Sequence, residues 1–278
     1  MRNKIAFIGV GNMSDAIIKG ITKKQIDPIS YDQLVLCNRT ISKIQHYDEI
    51  GAYITSSVTQ AVSLADYVFL AVKPQNLPEI LNEISFINNI DSKVFISIAA
   101  GITMDNISNI IGSEKIIRAL PNTPMTVGMG VSAICRKNAV SDSDFDFVSN
   151  LLLSSGKVLK ITEDEMNRMI SVTSSSPAYI FKLIDAMLNG ASMQGLTIDN
   201  GGNISKKEMI DAICDTIIGS CELMKASSCT PTDLILKVAS KGGTTEQALL
   251  ELDRYNFSDG IISAMQKCTI RADELGKS

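Results

Sequence analysis

The sequence has few of the residues on which several common catalytic centres depend. Its single histidine, His46, excludes a zinc site built from several histidines and any mechanism that needs a histidine later in the chain. His46 lies in a polar stretch, so we expect it at the surface. Six cysteines are scattered without a C-x-x-C pair or metal-like spacing, and we expect no metal site. Reduced thiols in a cytoplasmic protein are the expectation.

Long apolar runs and a strong charge imbalance are also missing. No run approaches the length of a membrane-spanning helix, and the N-terminal residues lack the pattern of a secretory signal. The formal net charge of -4 provides no basic field, so we expect neither nucleic acid nor a membrane as a partner. The 278 residues, 45% hydrophobic and 20% charged, are typical of a globular enzyme with one large or two medium-sized domains.

The first apolar run, residues 5–10, contains Gly9 and leads through Gly11 into apolar side chains at helical spacing. A strand, a glycine turn and a helix N-terminus can hold a pyrophosphate, because free amides and the helix dipole face the anion. Gly9 allows the tight turn, and Gly11 lets the backbone approach a phosphate. Ser14 or Ala16 is small enough for close packing of the helix on the strand. The pattern favours dinucleotide binding over an ordinary glycine turn.

Strand-like and helix-like runs alternate through the first part of the chain, which predicts an α/β fold with a Rossmann-type doubly wound parallel sheet. The predicted strands are residues 4–10, 33–38, 52–55, 67–72, 94–99, 115–119, 127–135 and 157–161. Later residues are helical in period, with helices expected at 163–194, 206–226, 231–238, 245–252 and 258–275. Thr162 and Glu165 form a capping-box pattern at the point where the alternating strands and helices are followed by helices alone. We predict a nucleotide-binding domain at residues 1–161 and an all-helical domain at residues 162–278.

Polar residues follow the predicted strands at the edge where a doubly wound sheet binds its ligand. After the second strand come Asn38 and Arg39, where many NAD-binding domains place an acidic residue. A guanidinium suits a 2′-phosphate, so Arg39 favours NADP(H) over NAD(H), and a solvated arginine is the alternative. Residues after later strands should also line the dinucleotide: Ala71, Val72, Lys73, Pro74, Ala99, Gly101, Pro121 and Asn122. For Pro121 and Asn122, simple turn chemistry is the alternative.

The helical half has two polar clusters. Residues 173–176 carry four hydroxyls before a proline that can begin a helical segment, and Ser175 among them is a candidate substrate contact. Residues 240–245 include paired glycines whose amides can receive a carboxylate, with Thr245 a possible N-cap of the next helix. An ordinary loop between helices is the alternative for this second cluster.

In their order and spacing along nearly the whole chain, these motifs resemble the pyrroline-5-carboxylate reductase family, which makes proline from a cyclic imine using NAD(P)H. The resemblance rests on residues 9–13, 38–40, 71–75, 97–102, 121–124, 176–179 and 242–245. It implies a Rossmann-type domain followed by a helical dimerisation domain that interlocks with a second subunit, and so a homodimer or a larger assembly of dimers.

The resemblance also implies roles for particular residues. The dinucleotide is expected to contact Arg39, residues 71–74 and the glycine loop: Ile8, Gly9, Val10, Gly11, Asn12 and Met13. The carboxylate and ring nitrogen of pyrroline-5-carboxylate are expected at Ser240, Gly242, Gly243, Thr244 and Thr245. Thr245 and Ser240 are the candidate catalytic residues.

Imine reduction suits a sequence with a single histidine, because hydride adds to the C=N carbon and the nitrogen takes a proton or arrives protonated. The Thr245 hydroxyl can hydrogen-bond that nitrogen, while positioning of donor and acceptor supplies much of the rate.

Three departures from the family pattern concern the substrate half. Residues 173–178 lack two glycines, Lys241 replaces a proline, and Lys182 replaces an apolar residue.

Two other functions stay open at this point. In 3-hydroxyacid dehydrogenases a lysine on the first helix of the second domain is the general acid, and Lys182 has a comparable place. A solvated position on its helix is the simpler interpretation of that lysine. The serine-rich segment and Lys241 also allow a divergent paralogue that binds a dinucleotide without catalysis.

Overall fold

The computed structural model describes residues 3–24, 27–199 and 202–276. The chain divides into two compact units, Met1–Pro177 together with Gln266–Ser278, and Ala178–Met265. The described part of the first unit contains an eight-stranded sheet in the order β3-β2-β1-β4-β5-β6-β7-β8. The strands are β1 Ile5–Ile8, β2 Leu34–Cys37, β3 Tyr53–Thr55, β4 Tyr67–Leu70, β5 Val94–Ser97, β6 Ile116–Leu120, β7 Gly130–Arg136 and β8 Gly156–Lys160.

Helices connect these strands and make up most of the second unit. In the first unit they are α1 Asn12–Thr22, α2 Gln45–Asp48, α3 Val58–Leu64, α4 Leu77–Ser85, α5 Met104–Ile111, α6 Asp142–Leu153 and α7 Glu163–Met169. They continue with α8 Ser176–Met193, α9 Lys206–Ala226, α10 Pro231–Val238, α11 Thr244–Arg254 and α12 Phe257–Leu275. Within the described ranges, no helix is long and apolar enough to cross a membrane.

Alternating side chains of the central strands supply two hydrophobic layers. In β1, Ile5 and Phe7 belong to one core cluster, and Ala6 and Ile8 belong to the other. This division follows from the two-residue period of a strand. A strand buried on both faces reads as a continuous apolar run, which is the pattern of β1, β2, β4 and β5.

The strand order from β3 to β6 is that of a doubly wound nucleotide-binding sheet, so the predicted Rossmann-type fold is confirmed. The described neighbouring strands pair in parallel except β6 and β7, which pair antiparallel. Residues 121–129 join these two strands without a crossover helix. A connection of this kind suits an antiparallel pair, because a parallel pair needs a longer crossover.

The helix predicted over residues 163–194 is wrong as a single element. It is α7, a π turn at Ile170–Ser174 and then α8. The Ser175 N–H donates to the Ile170 carbonyl at 2.8 Å, which is the i→i+5 bond of a π turn. Pro177 has no N–H to continue the α-helical ladder across this point. The capping box predicted for Thr162 and Glu165 does form at the start of α7.

The two compact units do not divide at residue 161. Helix α7 stays with the sheet because Met166 and Ile170 are buried in the same cluster as β6 and β7 residues. The last residues of α12 also belong to the first unit, where Ala272 joins that cluster.

Candidate active site

The loop between β1 and α1 passes close to the end of β4, and Gly9 makes this approach possible. Gly9 has a φ of +93°, and a Cβ at this position would lie 2.9 Å from Val72 Cγ1 and 3.0 Å from Val72 N. The Ser14 hydroxyl donates to the Gly9 carbonyl at 2.7 Å and fixes the loop against α1. A side chain at position 9 would clash with Val72, which is a steric reason for the turn role predicted for Gly9.

The N-terminus of α1 is open to a ligand. Gly11 is the N-cap, and no side chain in the described residues caps it. A Cβ on Gly11 would meet none of the described atoms within 4 Å. Free amides and the positive end of the helix dipole at this point suit the pyrophosphate of a dinucleotide.

A cavity of about 490 Å³ opens beside this loop. This size lies within the range of cofactor and ligand sites. Predicted cofactor residues that line it are Ile8, Gly9, Val10, Gly11, Asn38, Arg39, Ala71, Val72 and Lys73. Residues that sequence reasoning did not select also line it: Cys37, Thr40, Lys43, Ser56, Val58, Asn76, Glu79, Ile80 and Glu83.

Two cations stand at the end of β2 in this cavity. The side chains of Arg39 and Lys43 are exposed and have no hydrogen-bond or ion-pair partner among the described residues. Asn38 shapes the turn between them and the strand, since its amide Nδ2 donates to the Thr40 carbonyl at 2.9 Å. A pair of free cations beside a glycine loop fits a cofactor with a 2′-phosphate. Lys43 gave no motif signal beyond its closeness to Arg39 in the chain.

Cys37, the last residue of β2, also lines the cavity, and its side chain belongs to the hydrophobic core. Burial, with a smaller contribution from Glu83, raises its pKa to about 11. The thiol is therefore protonated at neutral pH and is a weak nucleophile.

The other predicted cofactor residues do not line the cavity: Asn12, Met13, Pro74, Ala99, Gly101, Pro121 and Asn122. Met13, in α1, packs against the hydrophobic core, and Ala99 is buried. Contacts of these residues with a dinucleotide stay predictions.

Asn122 holds the connection between β6 and β7 through two hydrogen bonds. It is 6% exposed, and its Oδ1 accepts from the Val131 N–H at 2.8 Å. Its Nδ2 donates to the Thr173 carbonyl at 2.9 Å. In a continuous α-helix that carbonyl would accept from residue 177, which is a proline. Asn122 therefore links the β6–β7 connection to the π turn.

Gly101, after β5, is held by the end of α12. Its φ is +82°, and a Cβ there would lie 3.0 Å from Leu275 Cβ and 3.1 Å from the Ala272 carbonyl oxygen. Asn106 Nδ2 also donates to the Gly276 carbonyl at 3.2 Å. The last helix thus fixes the loop that the sequence assigned to the dinucleotide.

The hydroxyl cluster forms the π turn and the start of α8. The Thr173 hydroxyl donates to the Met169 carbonyl at 3.1 Å, so it stabilises the backbone of the preceding turn. Ser175 Oγ lies 3.3 Å from Cys268 Sγ, and Ser174 Oγ is buried without a partner in the described part of the chain. A substrate contact of Ser175 stays a prediction.

The second predicted cluster, Ser240 to Thr245, lies in the second unit. Gly243 is the N-cap of α11, so the prediction of Thr245 as N-cap is wrong. The Gly243 N–H donates to the Ser240 carbonyl at 2.9 Å, and this turn places the helix start at Thr244. The Gly242 N–H donates to the Glu246 carboxylate at 2.6 Å. An amide of this loop thus already holds a carboxylate.

Two family models match the chain. The model for pyrroline-5-carboxylate reductase dimerisation matches residues 163–275, and the model for F420-dependent NADP oxidoreductases matches residues 4–101. Pyrroline-5-carboxylate reductase of Escherichia coli (strain K12) is 33% identical over 281 residues, with 100% of both chains covered. The chain belongs to the pyrroline-5-carboxylate reductase family.

Solved structures of pyrroline-5-carboxylate reductases have the same fold. The Streptococcus pyogenes enzyme is 27% identical with a TM-score of 0.86, covering 98% of each chain. The Plasmodium falciparum enzyme, solved with NADP bound, is 25% identical with a TM-score of 0.86, covering 99% of this chain and 98% of that one. The predicted resemblance to pyrroline-5-carboxylate reductases is therefore confirmed. The comparisons give no support to the two alternative functions.

Proposed function

We propose that this protein is an NADP(H)-dependent oxidoreductase that reduces 1-pyrroline-5-carboxylate to L-proline, a step of proline biosynthesis. The observation that carries this conclusion is the cavity at the strand ends, where a glycine loop and the cations Arg39, Lys43 and Lys73 come together. Similarity to reductases of this name over the whole chain supports the same substrate.

The cofactor half has groups that suit two parts of NADPH. The amides at the start of α1 suit the pyrophosphate, and Arg39 and Lys43 suit the 2′-phosphate. When bound, NADPH supplies the hydride that reduces the imine carbon. We propose that Asn12, Met13, Pro74, Ala99, Gly101, Pro121 and Asn122 contact or shape the rest of the cofactor site.

The loop before α11 is the proposed receptor for the substrate carboxylate. The Gly242 amide donates to Glu246 at 2.6 Å, which supports the idea that a carboxylate fits there. Gly243, Thr244 and Ser175 are proposed as further substrate contacts. In this proposal the incoming carboxylate takes the position of the Glu246 side chain.

Thr245 and Ser240 are proposed as the catalytic residues. Their hydroxyls would hydrogen-bond the ring nitrogen and orient the imine, so that the nitrogen keeps or receives a proton as the carbon is reduced. This chemistry depends more on the positioning of the hydride donor and the imine than on a strong base.

A homodimer, or a larger assembly of dimers, is the proposed quaternary structure. Large apolar side chains of α8 are exposed, including Ile180, Phe181 and Met187, and α8 has no buried residue. A helix with this pattern needs a partner surface. The match to a dimerisation model over residues 163–275 supports the same assembly. We propose residue 162 as the boundary of that dimerisation region, although the compact units divide after Pro177. The six free thiols support the proposed cytoplasmic location.

Oxidation of NADPH in the presence of pyrroline-5-carboxylate, followed by absorbance, tests the proposal. Thr245→Ala should lower kcat about a hundredfold, which is the usual effect of losing one hydrogen bond to the reacting group. Thr245→Ser keeps the hydroxyl and should retain most of the turnover. The dissociation constant for NADPH should be the same in all three proteins, because Thr245 does not belong to the cofactor cavity.

Three results would contradict the proposal. Unchanged turnover in Thr245→Ala would remove its catalytic role. NADPH binding without oxidation in the wild type would favour the non-catalytic paralogue. Oxidation of 3-hydroxyacids that disappears in Lys182→Ala would favour the dehydrogenase alternative.

A further inference from the structure

The cofactor cavity is lined by side chains of both charges. Arg39 and Lys43 follow β2, and Lys73 follows β4. Glu79 and Glu83 project from α4, one helical turn apart, with Ile80 between them. Two carboxylates are unexpected in a site for a cofactor that carries several phosphate charges, so their presence calls for a physical reason.

The two carboxylates differ in their partners. Glu83 Oε1 accepts from the Thr59 N–H at 3.3 Å and from the Thr59 hydroxyl at 3.2 Å, so α3 already holds it. Glu79 has no hydrogen-bond or ion-pair partner within the described residues. The cavity therefore presents one free anionic acceptor, beside the apolar side chains of Ile80 and Val58.

A carboxylate accepts hydrogen bonds and repels anions, which decides what part of the cofactor can approach it. The 2′-phosphate must stay at Arg39 and Lys43. The adenine base next to that phosphate has flat apolar faces and one exocyclic amine, which is a hydrogen-bond donor. Of the groups at this end of NADPH, the base is the one that suits Ile80, Val58 and a free carboxylate together.

Resting on the proposed use of NADP(H), we propose that Glu79 is the residue that selects adenine, by accepting a hydrogen bond from its 6-amino group. Ile80 and Val58 supply the apolar surface for the ring. Arg39 and Lys43 then select the 2′-phosphate, and Glu79 selects the base. This assigns the specificity for adenine to the first turn of α4.

The test compares NADP⁺ with its deamino analogue, in which hypoxanthine replaces adenine and a carbonyl oxygen replaces the 6-amino group. Dissociation constants are measured by isothermal titration calorimetry, without turnover. The wild type should bind the analogue about fivefold more weakly, because one net hydrogen bond is lost. Glu79→Gln should bring the ratio of the two constants close to one, since an amide can accept from the amine or donate to the carbonyl.

Two variants complete the comparison. Glu49→Gln changes an exposed carboxylate outside the cavity and should keep the wild-type ratio. Glu83→Gln should also keep the wild-type ratio, because the Thr59 N–H and hydroxyl already donate to that carboxylate. Loss of discrimination in Glu83→Gln instead of Glu79→Gln would overturn the assignment.

Two further outcomes would also overturn it: a wild-type ratio near one, or a ratio that does not change in Glu79→Gln. Either result with normal reduction of pyrroline-5-carboxylate would leave the proposed function standing. Failure of the wild type to bind NADP⁺ at all would overturn the proposed function, and this assignment with it.

Discussion

Replacement of Glu163 by glutamine should destabilise the protein far more than an ordinary change of a surface carboxylate. Glu163 is the first residue of α7, and its carboxylate lies 3.6 Å from the guanidinium of Arg118 on β6. The Arg118 side chain is 1% exposed, and Glu163 is 27% exposed. Burial lowers the pKa of Arg118, and Glu163 counteracts that effect. Glu163→Gln leaves a buried charge without its counter-ion.

The size of the effect follows from the remaining contacts. Losing one partner of a fully buried pair costs about 3–5 kcal/mol. Here the guanidinium keeps the Asn167 Oδ1 acceptor at 2.7 Å, and Glu163 is partly solvated. Glutamine can still accept from the Met104 N–H, which Glu163 binds at 2.7 Å. We therefore expect a loss of about 2 kcal/mol, below the range for a fully buried pair.

Urea unfolding followed by circular dichroism measures this loss as a fall in the midpoint. All variants are compared at one protein concentration, because the stability of the proposed dimer would depend on it. Glu114→Gln is the matched control, since that carboxylate pairs with Lys137 but is 62% exposed. It should cost less than about 1 kcal/mol, as surface ion pairs do.

A second replacement tests the cause. Arg118→Met in the Glu163→Gln background removes the buried charge itself, so it should recover part of the lost stability. Equal midpoints for Glu163→Gln and Glu114→Gln would refute the reasoning. A double variant that is less stable than the wild type by the full sum of the two single effects would refute it as well.

Two more predictions concern the cofactor cavity. Arg39→Ala and Lys43→Ala should each lower the preference for NADP⁺ over NAD⁺ about tenfold, because each removes a charged hydrogen bond to the 2′-phosphate, and equal ratios of the dissociation constants in the wild type and the variants would contradict this. Near neutral pH, iodoacetamide should modify the exposed Cys221 and spare Cys37, whose pKa burial raises to about 11. In unfolded protein this protection should vanish, and peptide mass spectrometry checks both states. Equal labelling of the two cysteines in folded protein would contradict the burial of the Cys37 thiol.

The fold could be predicted from the sequence because the patterns that indicate it are local. Apolar runs buried on both faces identify β1, β2, β4 and β5, and the glycines after β1 predict a phosphate loop. The positions of Lys43 and Glu79 in the cavity could not be predicted in this way. Helical periodicity identifies a solvated face, but it does not say which part of that face borders a cavity formed by distant strands.

The segment around residues 163–194 shows a second limit. Its apolar spacing is helical throughout, so periodicity predicts one helix. Pro177 and the run of hydroxyl residues before it were the available signals for the interruption. Asn122 also donates to the Thr173 carbonyl of the π turn from a distant loop. A contact across 51 residues leaves no local pattern in the sequence.

The discontinuous make-up of the first unit has a consequence for its synthesis. Asn106 binds the Gly276 carbonyl, and Asn167 binds Asp273, so the end of α12 closes a unit whose sheet ends at residue 160. On the ribosome, the strands and the glycine loop emerge well before these partners. The loop at Gly101 thus gains its packing only when almost the whole chain has been made, and the cofactor-binding unit cannot finish folding before the helical unit has been translated.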